Sequence, residues 1–296
     1  MKVQLINRQK RDCSVVFVGR EWNMKRKERQ VFFFTIVICI SGCIAYSVYK
    51  IEYQNISINR IYSDMKSNLI IYKSANICVI SKTEHDDIAG YSIGASGVIF
   101  EKDDAGYYAL TAYHVVNAEN TKFLIMTVND PTLKEYRESH PDMGITSTDE
   151  YYKQFPIAEV IYENKESDLA IIYFKSNQDL ECATISSANP QKGDRIVTVG
   201  TYSEKIDYFA ESYGQVKQNK TITFHTDDGA SDNQILKHSA FVAEGFSGSG
   251  AFNENMEIVG MNIGGQRNIF GRFTYGAMVP CEQINQCIIE SGLFAK

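Results

Sequence analysis

Gly245-Phe246-Ser247-Gly248-Ser249-Gly250 is the stretch on which the reading of this chain turns. Three of its six residues are glycine, and it lies between the apolar pair Phe241-Val242 and the strand-like run Ile258-Val259-Gly260-Met261. Glycine adopts backbone conformations closed to other residues, so the pattern describes a tight turn that presents one serine. Such a turn can aim several N–H groups at one point. A serine nucleophile needs that, because donors must be in place before charge develops on the attacked carbonyl oxygen. An ordinary hairpin uses the same residue types. The rest of the chain therefore has to supply a base and an acid that orients it.

The chain has 296 residues, 44% hydrophobic and 22% charged, which is the composition of a globular protein with a sizeable core. A net charge of −6 argues against a nucleic-acid partner. There is no internal repeat and no Cys/His spacing of a zinc site, so no metal is expected. Seven cysteines stand at 13, 39, 43, 78, 182, 281 and 287. The four after residue 75 allow three disulfide connectivities, and the spacing selects none; buried reduced thiols fit equally.

The N-terminal region carries an address. Residues 24–30 read Met-Lys-Arg-Lys-Glu-Arg-Gln, and 31–49 contain no charge at all. Nineteen such residues suffice for a transmembrane helix, and the basic flank places the N-terminus in the cytoplasm. Ile40-Ser41-Gly42-Cys43 also resembles a bacterial lipobox, which would make Cys43 an acylated N-terminus after cleavage. Both readings tether the following domain outside the cytoplasm, at the cell surface or in the periplasm. Residues 1–30 are then a basic tail or an upstream start before Met24, and 50–75 a stem.

From residue 76 the pattern becomes short β-type runs separated by turns: 77–81, 91–101, 107–116, 122–128, 157–162 and 169–174. Gly94-Ala95-Ser96-Gly97 suggests a bend where backbones pack closely. His114 closes the apolar run 107–116, and Asp168 opens the run 169–174. His85, His140, His225 and His238 lie in polar surroundings and read as surface residues. The stretch 129–153 is a long loop, either a functional insertion or a surface segment.

Thr111-Ala112-Tyr113-His114-Val115-Val116 resembles the Thr-Ala-(Ala)-His motif of chymotrypsin-like serine proteases. Ser167-Asp168-Leu169-Ala170-Ile171 resembles their Asp-Leu-Ala motif, and Gly245 to Ser249 their Gly-Asp/Asn-Ser-Gly-Gly/Ser motif. The order His, Asp, Ser is also theirs. Gly94-Ala95-Ser96-Gly97-Val98-Ile99 and 192–200 look like strands of the bacterial high-temperature-requirement and glutamyl-endopeptidase branches. The resemblance runs from about residue 75 to the C-terminus. It implies an all-β fold of two six-stranded antiparallel barrels, 76–178 and 183–280, closed by a C-terminal helix over 281–292. Ile284, Cys287 and Ile288 have the spacing of such a helix. With Lys296 the last residue, a PDZ domain is not expected.

The same resemblance implies the chemistry of a serine endopeptidase on protein or peptide substrates, needing no cofactor, with Ser247 as nucleophile, His114 as base and Asp168 orienting it. The N–H groups of Gly245 and Ser247 would form the oxyanion hole. Phe241, Asn262, Ile263, Gly264 and Gly265 would wall the substrate site. Phe241 stands where trypsin-type enzymes carry an aspartate, and Asn262 where glutamyl endopeptidases carry a histidine. A small or apolar preference follows. Phe246 departs from the Asp or Asn before the nucleophile, which leaves open an inactive, protease-like peptide-binding module. Oligomeric state is not legible.

Overall fold

Alternation of apolar residues closes the first barrel. A computed structural model describes residues 16–17, 20–21, 35, 38–47, 49, 60, 62–85, 88–225 and 232–294. The strands of this barrel are β1 (Asn76–His85), β2 (Ile88–Lys102), β3 (Gly106–Thr111), β4 (Thr121–Met126), β5 (Ile157–Asn164) and β6 (Leu169–Lys175). They run antiparallel in the order β1-β2-β3-β6-β5-β4, and β4 pairs back on β1 to complete the barrel. The sequence of β6 shows how one strand serves two surfaces. Ala170, Ile172 and Phe174 join the cluster of Ile77, Val79, Ile99 and Ile125, while Leu169 and Ile171 join that of Ile284 and Cys287. Side chains alternate along a strand, so a strand buried on both faces reads as one unbroken apolar run.

Among the helices are α1 (Leu69–Ser74), α2 (Tyr113–Val116), α3 (Leu133–Ser139), α4 (Ser147–Lys153) and α5 (Cys281–Ser291). Helix α5 falls where the spacing places it and buries Cys281, Ile284 and Cys287. Helix α2 corrects the expectation of a strand over 107–116. The strand ends at Thr111, and His114 sits on a single helical turn. The stretch 129–153 is likewise packed instead of loose. Thr132 and Glu135 form a capping box that starts α3. Tyr151 is fully buried and donates to the Pro131 carbonyl at 2.8 Å, and the Tyr152 ring stacks on Tyr91 at 4.2 Å.

The second half holds β7 (Arg195–Tyr202), β8 (Asp207–Gln215), β9 (Ile222–His225), β10 (Asp232–His238), β11 (Gly250–Phe252), β12 (Ile258–Arg267) and β13 (Phe273–Pro280). Here the expected second six-stranded barrel needs correcting: these strands form a seven-stranded sheet in the order β8-β7-β11-β12-β13-β10-β9. Strand β9 is the seventh, paired only with β10. The end of β8 returns to β10 through one isolated bridge, Val216 to His238, flanked by backbone bonds from Lys217 to Lys237 (2.8 Å) and from Ser239 to Gln215 (3.0 Å).

The chain divides into two units, Met1–Arg60 and Ile61–Lys296. In the first, Val16–Phe17 pairs with Arg20–Glu21, and the described residues of 31–49 are helical and exposed. Among the described residues no helix is long and apolar enough to cross a membrane. Most of 50–61 and all of 22–34, including the basic residues of 24–30, lie outside the described residues. The part of the expected stem that is described, from 62 on, is helical and belongs to the core of the second unit. Met65 and Tyr72 are buried, Tyr62 donates to the Gly214 carbonyl at 2.8 Å, and Tyr72 donates to that of Asn253 at 3.1 Å. Cys78, Cys182, Cys281 and Cys287 are free thiols, and burial pushes the Cys78 thiol up to about 12.

Candidate active site

His114 and Asp168 meet through the end of β3 and the start of β6. Asp168 follows a turn closed by its own N–H on the Lys165 carbonyl (3.2 Å), and it takes a left-handed backbone, φ 48°. Its carboxylate is 2% exposed and makes two bonds to one residue. One oxygen accepts the backbone N–H of His114 at 2.9 Å, and the other lies 2.7 Å from His114 Nδ1. The first N–H groups of a helix have no partner within it, so Asp168 both caps α2 and orients the ring it carries. An ionised carboxylate only accepts, which places the proton on Nδ1 and leaves the Nε2 lone pair free.

The turn around Ser247 is fixed from several sides. Gly245 has φ 98° and Gly248 φ 88°, conformations that disfavour any side chain. A Cβ on Gly245 would collide with the Thr201 carbonyl, and one on Gly248 with the Ser96 carbonyl. Glu244 O accepts from Ser203 N at 3.1 Å, and Phe246 O from Ser249 N at 2.9 Å. A trans peptide points its N–H opposite to its C=O, so these two bonds turn the Gly245 and Ser247 N–H groups the other way. Among the described residues neither of those two N–H groups donates to anything, whereas those of Phe246, Gly248 and Ser249 all do. The result is a pair of free donors on either side of Phe246.

Gly248 brings the turn against the end of β3, just ahead of His114. Gly248 lies so close to Thr111 and Ala112 that an added Cβ would stand 2.5 Å from Thr111 Oγ1 and 3.1 Å from Ala112 N. The Ser247 hydroxyl itself makes no hydrogen bond among the described residues. Phe246 is 2% exposed, its ring against Gly200, where an added Cβ would stand 2.8 Å from the ring. The side chain that departs from the family pattern thus points into the core.

Of the residues expected to wall a substrate site, two present no side chain to a cleft. Asn262 and Ile263 are buried, at 0% and 3% exposed. Asn262 turns inward: its Nδ2 donates to Ser249 Oγ at 2.9 Å, and its Oδ1 lies 2.9 Å from His238 Nε2. Its backbone carbonyl also accepts from Gly248 N at 2.7 Å. Gly264 is half-buried, with the Phe224 ring nearby, and Gly265 is exposed, with Val242 and Phe273 close to it. Phe241 is half-buried between Tyr202 and Phe273, at ring distances of 5.8 and 5.3 Å.

Sequence reasoning missed two polar residues here. His238, read as a surface residue, is fully buried beneath Asn262, and its ring lies against Gly276. Period two along β10, which puts His238 on the face of Leu236, was the available signal. Ser96 is fully buried too, and its signal was the cluster of small residues around it.

Burial lowers the His238 imidazole from 6.5 to about 4. Between those values the unfolded chain holds a proton that the folded chain does not. The contribution of His238 is therefore complete above pH 6.5 and is lost as pH falls through 4, by about 3 kcal/mol in all. Unfolding free energy measured against pH should fall over this window in the wild type and less steeply in His238→Gln. Equal slopes in the two proteins would refute this assignment.

Residues 95–261 match the trypsin-like peptidase domain family. That span is more than half of the chain, and the chain belongs to the trypsin-like peptidases. Comparison with the curated proteins gives no match.

Proposed function

We propose that this chain is a serine endopeptidase working through an acyl-enzyme on Ser247. His114 Nε2 takes the hydroxyl proton as Ser247 attacks the scissile carbonyl, and later gives it to the leaving amine. Asp168 holds the ring in that tautomer and stabilises the imidazolium. The carbonyl oxygen, as it gains charge, is met by the N–H groups of Gly245 and Ser247. Those two unengaged donors carry the reading, because a turn built only for structure would have spent them on neighbouring carbonyls. Water then attacks the acyl carbon and gives its proton to His114; the ester bond to Ser247 Oγ breaks, His114 returns the proton to that oxygen, and the acid product leaves.

Val242 and Phe273 beside Gly265, with Phe241 against Phe273, favour a small or apolar residue ahead of the scissile bond. The uncharged run 31–49 behind a basic flank supports a tether that leaves the peptidase outside the cytoplasm. One experiment addresses both: a membrane-impermeant fluorophosphonate is applied to intact cells expressing the full chain, followed by fractionation and peptide mass spectrometry. A single adduct on Ser247, in the membrane fraction, is expected. No adduct, or one on another serine, overturns the chemistry; an adduct formed only after lysis overturns the location.

A further inference from the structure

We propose that Ser96 is a positioning residue for the donor pair at Gly245 and Ser247; this rests on the peptidase reading above. Ser96 belongs to β2 of the first barrel, whereas the turn belongs to the second half of the chain. Its side chain is fully buried, its hydroxyl and N–H are engaged with backbone at or near the turn, and its carbonyl is held by a neighbouring hydroxyl. The hydroxyl donates to Gly245 O at 2.7 Å and accepts from Thr201 N at 2.8 Å. Its N–H donates to Ser247 O at 2.9 Å, and its carbonyl accepts from Thr111 Oγ1 at 2.8 Å.

Ser96 therefore grips the carbonyls of Gly245 and Ser247, on both sides of Phe246. Between them lies the one peptide unit, Phe246 to Ser247, whose rotation decides where the Ser247 N–H points. The Thr201 bond adds a second constraint. Thr201 precedes Ser203 by two residues on the same path, and Ser203 N holds Glu244 O, the group opposite the Gly245 N–H. One hydroxyl thus links the supports of both free donors. No charge takes part, and Phe246 fills with a ring the place beneath the turn.

Removing the hydroxyl leaves the Ser96 N–H bond to Ser247 O in place, so the turn stays closed while its first peptide loses an anchor. Direct removal of an oxyanion donor costs about 10²–10³ in kcat. For a residue one step behind the donors, Ser96→Ala should lower kcat on a peptide substrate about 10- to 100-fold, with KM within about threefold. The diagnostic is a pair of ligands measured with the full chain. A peptide aldehyde, whose adduct places an oxyanion between the donors, should lose affinity by the same factor as kcat. The corresponding product peptide, which places none there, should bind as to wild type.

Equal losses for aldehyde and product would make Ser96 merely structural, and no loss for either would remove its role altogether. If the alanine variant does not fold, Ser96→Cys, close in shape and a weaker donor, carries the same comparison. A wild-type protein that forms no adduct with the aldehyde overturns the peptidase reading and this inference together. A reactive wild type with an unaffected Ser96→Ala overturns this inference alone.

Discussion

Asp168→Asn is expected to lower kcat by about 10⁴ while leaving the fold and KM nearly unchanged. Asparagine tolerates the left-handed backbone at φ 48°, and its oxygen can still accept the His114 N–H. What changes is the second contact. An amide NH₂ in place of the carboxylate oxygen 2.7 Å from Nδ1 is a donor, so Nδ1 must accept and the proton moves to Nε2. The ring then offers Ser247 an N–H instead of a lone pair. Asp168→Ala should differ in kind: it strains the backbone, strands the His114 N–H in the first turn of α2, and should cost about 2–4 kcal/mol of stability besides activity. Steady-state kinetics with denaturant melts separates the two. An asparagine variant within tenfold of wild-type kcat would rule out His114 as the base.

Phe246→Ala should destabilise the protein by about 3–5 kcal/mol, because a buried ring is removed from a site that cannot close over the space. The ring is 2% exposed and lies against Gly200, whose missing side chain makes its room. Phe246→Asp, which restores the residue usual in the family, should be worse than alanine, since it buries a carboxylate in place of a ring. Urea unfolding measures both. A loss under about 1 kcal/mol for alanine would mean that the ring does not anchor the turn. The side chain that raised doubt about the sequence motif is in this view part of its support.

Much of the fold was legible because its signals are local. Short β-type runs between turns located the strands of the first barrel, and helical spacing of Ile284 and Cys287 located α5. Of the residues in the His, Asp and Ser motifs, the fold bonds His114 to Asp168 and sets Gly248 against the strand end ahead of His114. What escaped has non-local causes. Helix α2 is a single turn capped by a carboxylate 54 residues away, and nothing within Tyr113–Val116 announces it. The buried places of Ser96, Asn262 and His238 depend on partners in other strands. The insertion at 129–153 is the exception, since Thr132-Leu133-Lys134-Glu135 is a readable helix start that was passed over.

Tyr62 and Tyr72 reach partners 152 and 181 positions further along the chain. During synthesis, the residues that precede β1 thus emerge long before Gly214 and Asn253 exist to receive them. Their apolar side chains, Met65 and Tyr72 among them, have to wait in solvent or in the care of a chaperone until the second sheet is made. Contacts of such separation raise the contact order and slow the final closure. The ends of this fold are therefore assembled together, and its earliest-made segment is among the last to find its place.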